Sequence, residues 1–112
     1  MKHAVAVSAL NALSHESRLA AFRSLVQAGP DGLAVGELRE QLDIPSATLT
    51  AHLNVLRAAS LVDDEREGRV IRVRANYDQM NGLIAYLTEN CCAGGECGPD
   101  MSCKPRKKKA RA

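Results

Sequence analysis

The sequence has no tryptophan, one phenylalanine (Phe22) and two tyrosines (Tyr77 and Tyr86). Leucine, valine, isoleucine and alanine must therefore fill any core. No segment approaches the roughly 20 apolar residues that a membrane span needs. The start, Met1-Lys2-His3-Ala4-Val5, does not read as a signal peptide, because Ser8, Asn11 and Ser14 break its apolar stretch. The expected location is the cytoplasm. No glycine-rich phosphate loop, paired-carboxylate site or Cys-x-x-C after a strand is present. These absences argue against an enzyme. Cysteine is missing altogether before position 91.

What is present suits one small domain. Of 112 residues, 46% are apolar, enough for a single core. A chain of this size buries a limited share of its surface, so pairing with a second copy is a natural way to bury more. The charge is uneven. Lys104 to Arg111 carries six basic residues and no acidic one, while the remainder holds nine basic against thirteen acidic. DNA binding by the body would need a local basic face. The basic run reads equally as a solvated tail or as a source of salt-sensitive DNA attraction.

Periodicity gives the element order. Val7, Leu10 and Leu13 recur at helical spacing in an alanine-rich stretch over 4–13. Ser14 suits the N-cap of a second helix carrying Leu19, Phe22, Leu25 and Val26 on one face. Ala28-Gly29-Pro30-Asp31-Gly32 stops it. Val35, Leu38 and Leu42 mark a third helix, broken by Asp43-Ile44-Pro45. Ser46 is placed to cap a fourth, with Leu49, Leu53 and Leu56 at i, i+4 and i+7. Residues 61–67 and 69–75 read as two strands around a turn at Gly68. Tyr77, Met80, Leu83, Ile84 and Leu87 restore the helical period to about residue 90. The expected domains are 1–90, a folded unit, and 91–112, a flexible cysteine-containing basic tail.

Two short helices joined by a tight turn and followed by a hairpin make a winged helix-turn-helix. The expected fold is mainly α with a β-hairpin wing, as a dimer. The second helix of the pair can lie in the major groove of double-stranded DNA. Ser46, Thr48, Thr50 and His52 have the size and hydrogen-bonding chemistry to reach base edges or phosphates, and Arg57 suits the backbone. Arg66, Arg69 and Arg72 flank the Gly68 tip and suit phosphate or minor-groove contact. The alternative for each residue is an ordinary solvated surface. For His52 it is also a metal ligand, although no Cys, Asp or second His lies nearby at ligand spacing.

The stretches Leu13-Ser14-His15-Glu16-Ser17-Arg18-Leu19 and Pro45-Ser46-Ala47-Thr48-Leu49-Thr50-Ala51-His52-Leu53-Asn54-Val55-Leu56-Arg57, with the Gly68-Arg69 wing, resemble the ArsR-type (ArsR/SmtB) family of metal-responsive repressors. The likeness covers about residues 8–90. It implies a homodimer built from the first and last helices, a recognition helix from Ser46 to Arg57, and a ligand that lowers DNA affinity. Two usual metal sites are absent. Where many members carry Cys-x-Cys in the third helix, this chain has Glu37-Leu38-Arg39-Glu40-Gln41-Leu42. Where zinc-responsive members carry Asp/His pairs in the last helix, only Asp78 and Glu89 stand.

The four cysteines, Cys91, Cys92, Cys97 and Cys103, fall within thirteen residues. Their arrangement after the last helix resembles the C-terminal arsenite site of a subgroup of the family. Soft thiolates select soft ions, and As(III) or Sb(III) takes three sulfurs in a pyramid. Cys91, Cys92 and Cys97 are the expected ligands. Cys103 is an alternative third ligand whose longer loop costs more to close. No permanent cofactor is expected. Rival uses of the cluster are Cd²⁺, Pb²⁺ or Zn²⁺ binding, a redox switch, and metal storage without operator affinity. A Cys91–Cys92 disulfide is disfavoured, because adjacent Cα atoms lie about 3.8 Å apart, below the usual disulfide range.

Overall fold

A computed structural model describes residues 1–91. The expected flexible tail, with Cys92, Cys97, Cys103 and the basic run, lies outside the described residues. The element order is α1 (His3–Leu13), α2 (Glu16–Ala28), β1 (Leu33–Ala34), α3 (Val35–Leu42), α4 (Ser46–Ala58), β2 (Val62–Glu67), β3 (Val70–Ala75) and α5 (Tyr77–Thr88). This is the expected winged helix-turn-helix, with one addition. The two-residue strand β1 pairs antiparallel with β3, so the wing is a three-stranded sheet in the order β1-β3-β2.

The core follows the helical periods read from the sequence. Leu25, Leu38, Leu49, Leu53, Leu56, Leu61 and Val73 are fully buried, so one apolar centre joins α2, α3, α4 and the base of the sheet. Phe22 and Leu83 complete it. The Tyr77 hydroxyl donates to the Val26 carbonyl at 3.0 Å and ties α5 to α2.

Helix α1 departs from expectation. Ala6, Ala9 and Ala12 face the core, while Val7 and Leu10 are 43% and 42% exposed. The small alanines let α1 approach α2 and α4 closely, and the larger side chains stay outside. Helix α5 does the same: Leu83 is buried, but Ile84 and Leu87 are 39% and 58% exposed. The two helices touch, and His3 Nδ1 lies 2.7 Å from the Tyr86 hydroxyl.

Two expected caps are corrected. Ser14 does not cap α2. It closes α1 instead, donating its hydroxyl to the Asn11 carbonyl. The N-cap of α2 is His15, whose Nδ1 accepts from the Ser17 amide at 3.1 Å. Ser46 is the first residue of α4 rather than its cap. Pro45 holds that position with φ −61° and ψ 149° and makes no side-chain cap bond. Proline's fixed φ prepares the entry to the helix without one.

Candidate nucleic-acid interface

Helix α4 presents two faces. Leu49, Leu53 and Leu56 anchor one in the core. At about 100° per residue, the opposite face carries Ala47, Ala51, Asn54 and Ala58, all exposed. Ser46, Thr48 and Thr50 are exposed as expected. Thr50 turns towards the wing and lines a groove with Leu53, Arg57, Asp64 and Arg69. Ala47 and Ala51 carry no hydrogen-bonding group to mark them in the sequence, and Asn54 lies beyond the polar run Ser46–His52. The leucine period alone would have found them, and an alanine methyl is a fit partner for a thymine methyl.

His52 is placed differently. It lies on the flank of the buried stripe, half-buried, with its ring centroid 4.7 Å from that of His15. Sequence spacing offers no second histidine near it; the fold brings one from the start of α2. Burial, followed by the charges of His15 and Arg18, holds the His52 imidazole below its ordinary pKa of 6.5. The pair is a poor metal clamp, since His15 Nδ1 already accepts the cap bond from Ser17. No group of three or more His, Cys, Asp or Glu side chains suited to a metal occurs among the described residues.

This sets a pH dependence. The unfolded chain protonates His52 near its ordinary value of 6.5, and the folded chain only at a lower pH. Between those points the unfolded state binds more protons, so stability falls as pH falls. Above the unfolded value the contribution is fully present; below the folded one it is lost. Urea unfolding between pH 7.5 and 5.5 is expected to show a smaller loss in His52→Gln than in wild type. Equal losses would place the acid sensitivity elsewhere.

The register of β2 and β3 sorts the wing's charges. Pairing of Asp63 with Arg74, Glu65 with Arg72 and Glu67 with Val70 puts these six on one face. There Arg74 bonds Glu65, and Arg72 lies 3.3 Å from Glu67. Arg72 Nη1 also donates to the Asp31 and Gly32 carbonyls at 3.4 Å. That face is a closed acid–base ladder. The other face carries Asp64, Arg66 and Ile71 and turns towards α4. Arg66 and Arg69 are exposed and make no ion pair among the described residues. Gly68, with φ 62°, is the first of two loop residues at the tip. A positive φ there is what a II′ hairpin turn requires.

Arg57 is engaged inside the protein. Its Nη1 donates to Asn54 Oδ1 at 2.7 Å, and its Nε lies 2.8 Å from Asp64 Oδ2.

The geometry is thus a helix whose outer face is small, with serine and threonine hydroxyls at its edges, flanked by a hairpin carrying two cations that make no ion pair among the described residues. A helix-turn-helix domain family matches residues 13–65. A solved ArsR-like transcriptional regulator from Rhodococcus sp. RHA1 superposes with a TM-score of 0.69 at 30% identity, covering 82% of this chain and 83% of that one. The transcriptional repressor BigR from Xylella fastidiosa gives 0.59 at 31% identity over 76% and 85%. A biofilm growth-associated repressor of Agrobacterium fabrum is 39% identical over 87 residues, 78% of this chain and 72% of that protein. The chain belongs to the ArsR family of winged helix-turn-helix regulators.

As a member of that family it is a DNA-binding transcriptional regulator and not an enzyme. Its α3 segment, Val35–Leu42, holds no thiol. Within the described residues the expected sensor is represented by Cys91 alone, half-buried just past the end of α5. No helix among the described residues is long and apolar enough to cross a membrane.

Proposed function

We propose that this ArsR-family protein represses a metalloid-resistance operon and leaves its operator when As(III) or Sb(III) binds Cys91, Cys92 and Cys97. The observation that carries the DNA-binding half is the exposed outer face of α4 beside a wing whose Arg66 and Arg69 make no ion pair among the described residues. The sensor half is supported by the four clustered thiols of the sequence and by the half-buried position of the first of them. The protein acts in the cytoplasm, where its operator and reduced thiols are found.

It works as a homodimer. Val7, Leu10, Ile84 and Leu87 are large apolar side chains left outside on two touching helices, which is how a surface awaiting a second copy reads. A two-fold pair would set its reading helices about 34–36 Å apart, one turn of duplex. Because α5 would carry the dimer contact and Cys91 lies just past its end, an ion bound there can change that spacing.

Fluorescence anisotropy with promoter DNA, titrated in salt with and without arsenite, tests both halves. Arg66→Ala and Arg69→Ala are each expected to flatten the salt dependence by about one phosphate contact. Arg72→Ala is expected to leave the slope unchanged, because its guanidinium is held by Glu67 and the Asp31–Gly32 carbonyls. A slope that responds to Arg72 and ignores Arg66 and Arg69 would turn the wing over.

A further inference from the structure

The wing is tied to the body through β3, which pairs with β1 and sends Arg72 to the Asp31 and Gly32 carbonyls, but on the side of α4 little holds it. Val62 is buried, but every residue from Asp63 to Val70 is exposed. A groove of about 700 Å³ separates the wing from α3 and α4, lined in part by Val35, Leu53, Val70 and Ile71. One link spans the gap. Arg57, in the last turn of α4, meets Asp64, midway along β2, at 2.8 Å. Among the described residues it is the only ion pair or side-chain hydrogen bond between α4 and the hairpin.

Solvated ion pairs usually contribute little, yet this one has two unusual features. The Arg57 Nε is buried and, among the described residues, has no well-aligned hydrogen-bond acceptor, so the nearby Asp64 carboxylate is the charge that compensates it there. Removing that carboxylate leaves a buried N–H of a charged group unmatched. The guanidinium is also held from behind by Asn54 Oδ1 at 2.7 Å, which limits its freedom to turn elsewhere.

We infer that Arg57 and Asp64 form a strut that fixes the wing's angle to the recognition helix, placing Arg66 and Arg69 where the duplex backbone runs. Arg57 is then a positioning residue and not a phosphate contact. Asp64, an acidic group beside a DNA-binding face, strengthens DNA binding. The inference rests on the operator-binding reading for its consequence on DNA, but its structural part stands without it.

The sign of one substitution separates the two roles of Arg57. If the arginine contacts phosphate, Asp64→Asn removes a negative charge, frees the guanidinium, and tightens binding. The strut predicts the reverse: Asp64→Asn weakens promoter binding about fivefold, the low end of ordinary coupling, and Asp64→Glu restores it. In the Asp64→Asn background Arg69→Ala should then cost much less than in the parent, because the wing cation has already lost its position.

A DNA-free measurement completes the test. The backbone ¹⁵N heteronuclear NOE at Gly68, Arg69 and Val70 is expected to drop in Asp64→Asn and recover in Asp64→Glu. Unchanged NOE values, or promoter binding equal to or tighter than wild type in Asp64→Asn, overturn the strut. Failure of wild type to bind promoter DNA at all would instead sink the repressor reading, and the NOE comparison would still decide the strut.

Discussion

Under reducing conditions, saturating arsenite is expected to lower the promoter affinity of the wild-type protein by about two decades, a coupling of about 2.7 kcal/mol near the top of the ordinary range. Cys91→Ser, Cys92→Ser and Cys97→Ser should each bind the promoter as wild type does and each fail to release. The reason is the ion's geometry. A trivalent metalloid held by three thiolates forms three short bonds and keeps a lone pair in the remaining direction. A serine hydroxyl is a hard, weakly acidic donor that does not replace a soft thiolate. Losing one sulfur of three therefore removes most of the binding free energy and the conformational work it can do.

Cys103→Ser should release normally, because Cys97 closes the shorter loop onto the adjacent pair. If Cys103→Ser alone abolishes release, the third ligand is Cys103. If wild type grips its promoter equally well with and without arsenite, the protein remains an ArsR-family regulator and the sensor assignment fails. Linkage adds a second check on the same samples. Promoter DNA must weaken arsenite binding by the same factor by which arsenite weakens DNA binding.

The parts of this protein legible in its sequence are those written in a period. Leu49, Leu53 and Leu56 repeat at helical spacing, and all three are buried. Gly68 between a polar run and a run that alternates apolar and basic residues marks the wing tip, which the strand register confirms. Strand β1 was not legible, since Leu33–Ala34 is too short to show alternation and exists only because β3 offers it a partner. The first helix was legible as a helix but not in its orientation. Apolar period alone cannot tell a face that meets its own core from one left open, and here Ala6, Ala9 and Ala12 took the inner side.

The candidate interface divides in the same way. Ser46, Thr48 and Thr50 follow from the leucine period and are exposed where expected. His52 does not, because its neighbour His15 is remote in sequence and close only in the fold. Arg57 and Arg72 look like free cations in the sequence. Their acidic partners, Asp64 and Glu67, become visible only once the strand register says which side chains share a face.

Register also explains why one glycine should matter far more than the others. Gly32→Ala is expected to be the most damaging conservative substitution outside the leucine core, costing about 4 kcal/mol or more, a size that marks a specific structural conflict. Gly32 is buried with φ 68°, at the entry to β1. A methyl group there would sit 2.1 Å from the Val73 carbonyl oxygen and 2.8 Å from Arg74 Cβ. Neither neighbour can yield cheaply. Val73 is fully buried, and its strand is hydrogen-bonded on both sides, to β1 through Leu33 and to β2 through Asp64. The methyl must push β3 out of the sheet or detach β1, in addition to the left-handed backbone penalty of about 1–2 kcal/mol.

Gly68→Ala supplies the control. Its φ of 62° carries the same backbone penalty, but nothing lies within 4 Å of the added carbon. Urea unfolding should therefore separate the two variants by at least the cost of the collision, with Gly68→Ala losing only about 1–2 kcal/mol. A domain this small has about 5–15 kcal/mol in total to lose. Gly32→Ala should accordingly lose about a quarter or more of that total and unfold at a clearly lower urea concentration than wild type. If the two variants unfold at the same urea concentration, β1 is an ornament on the wing. The wing would then be positioned by its hairpin and by the link from Asp64 to α4, without help from the turn that precedes α3.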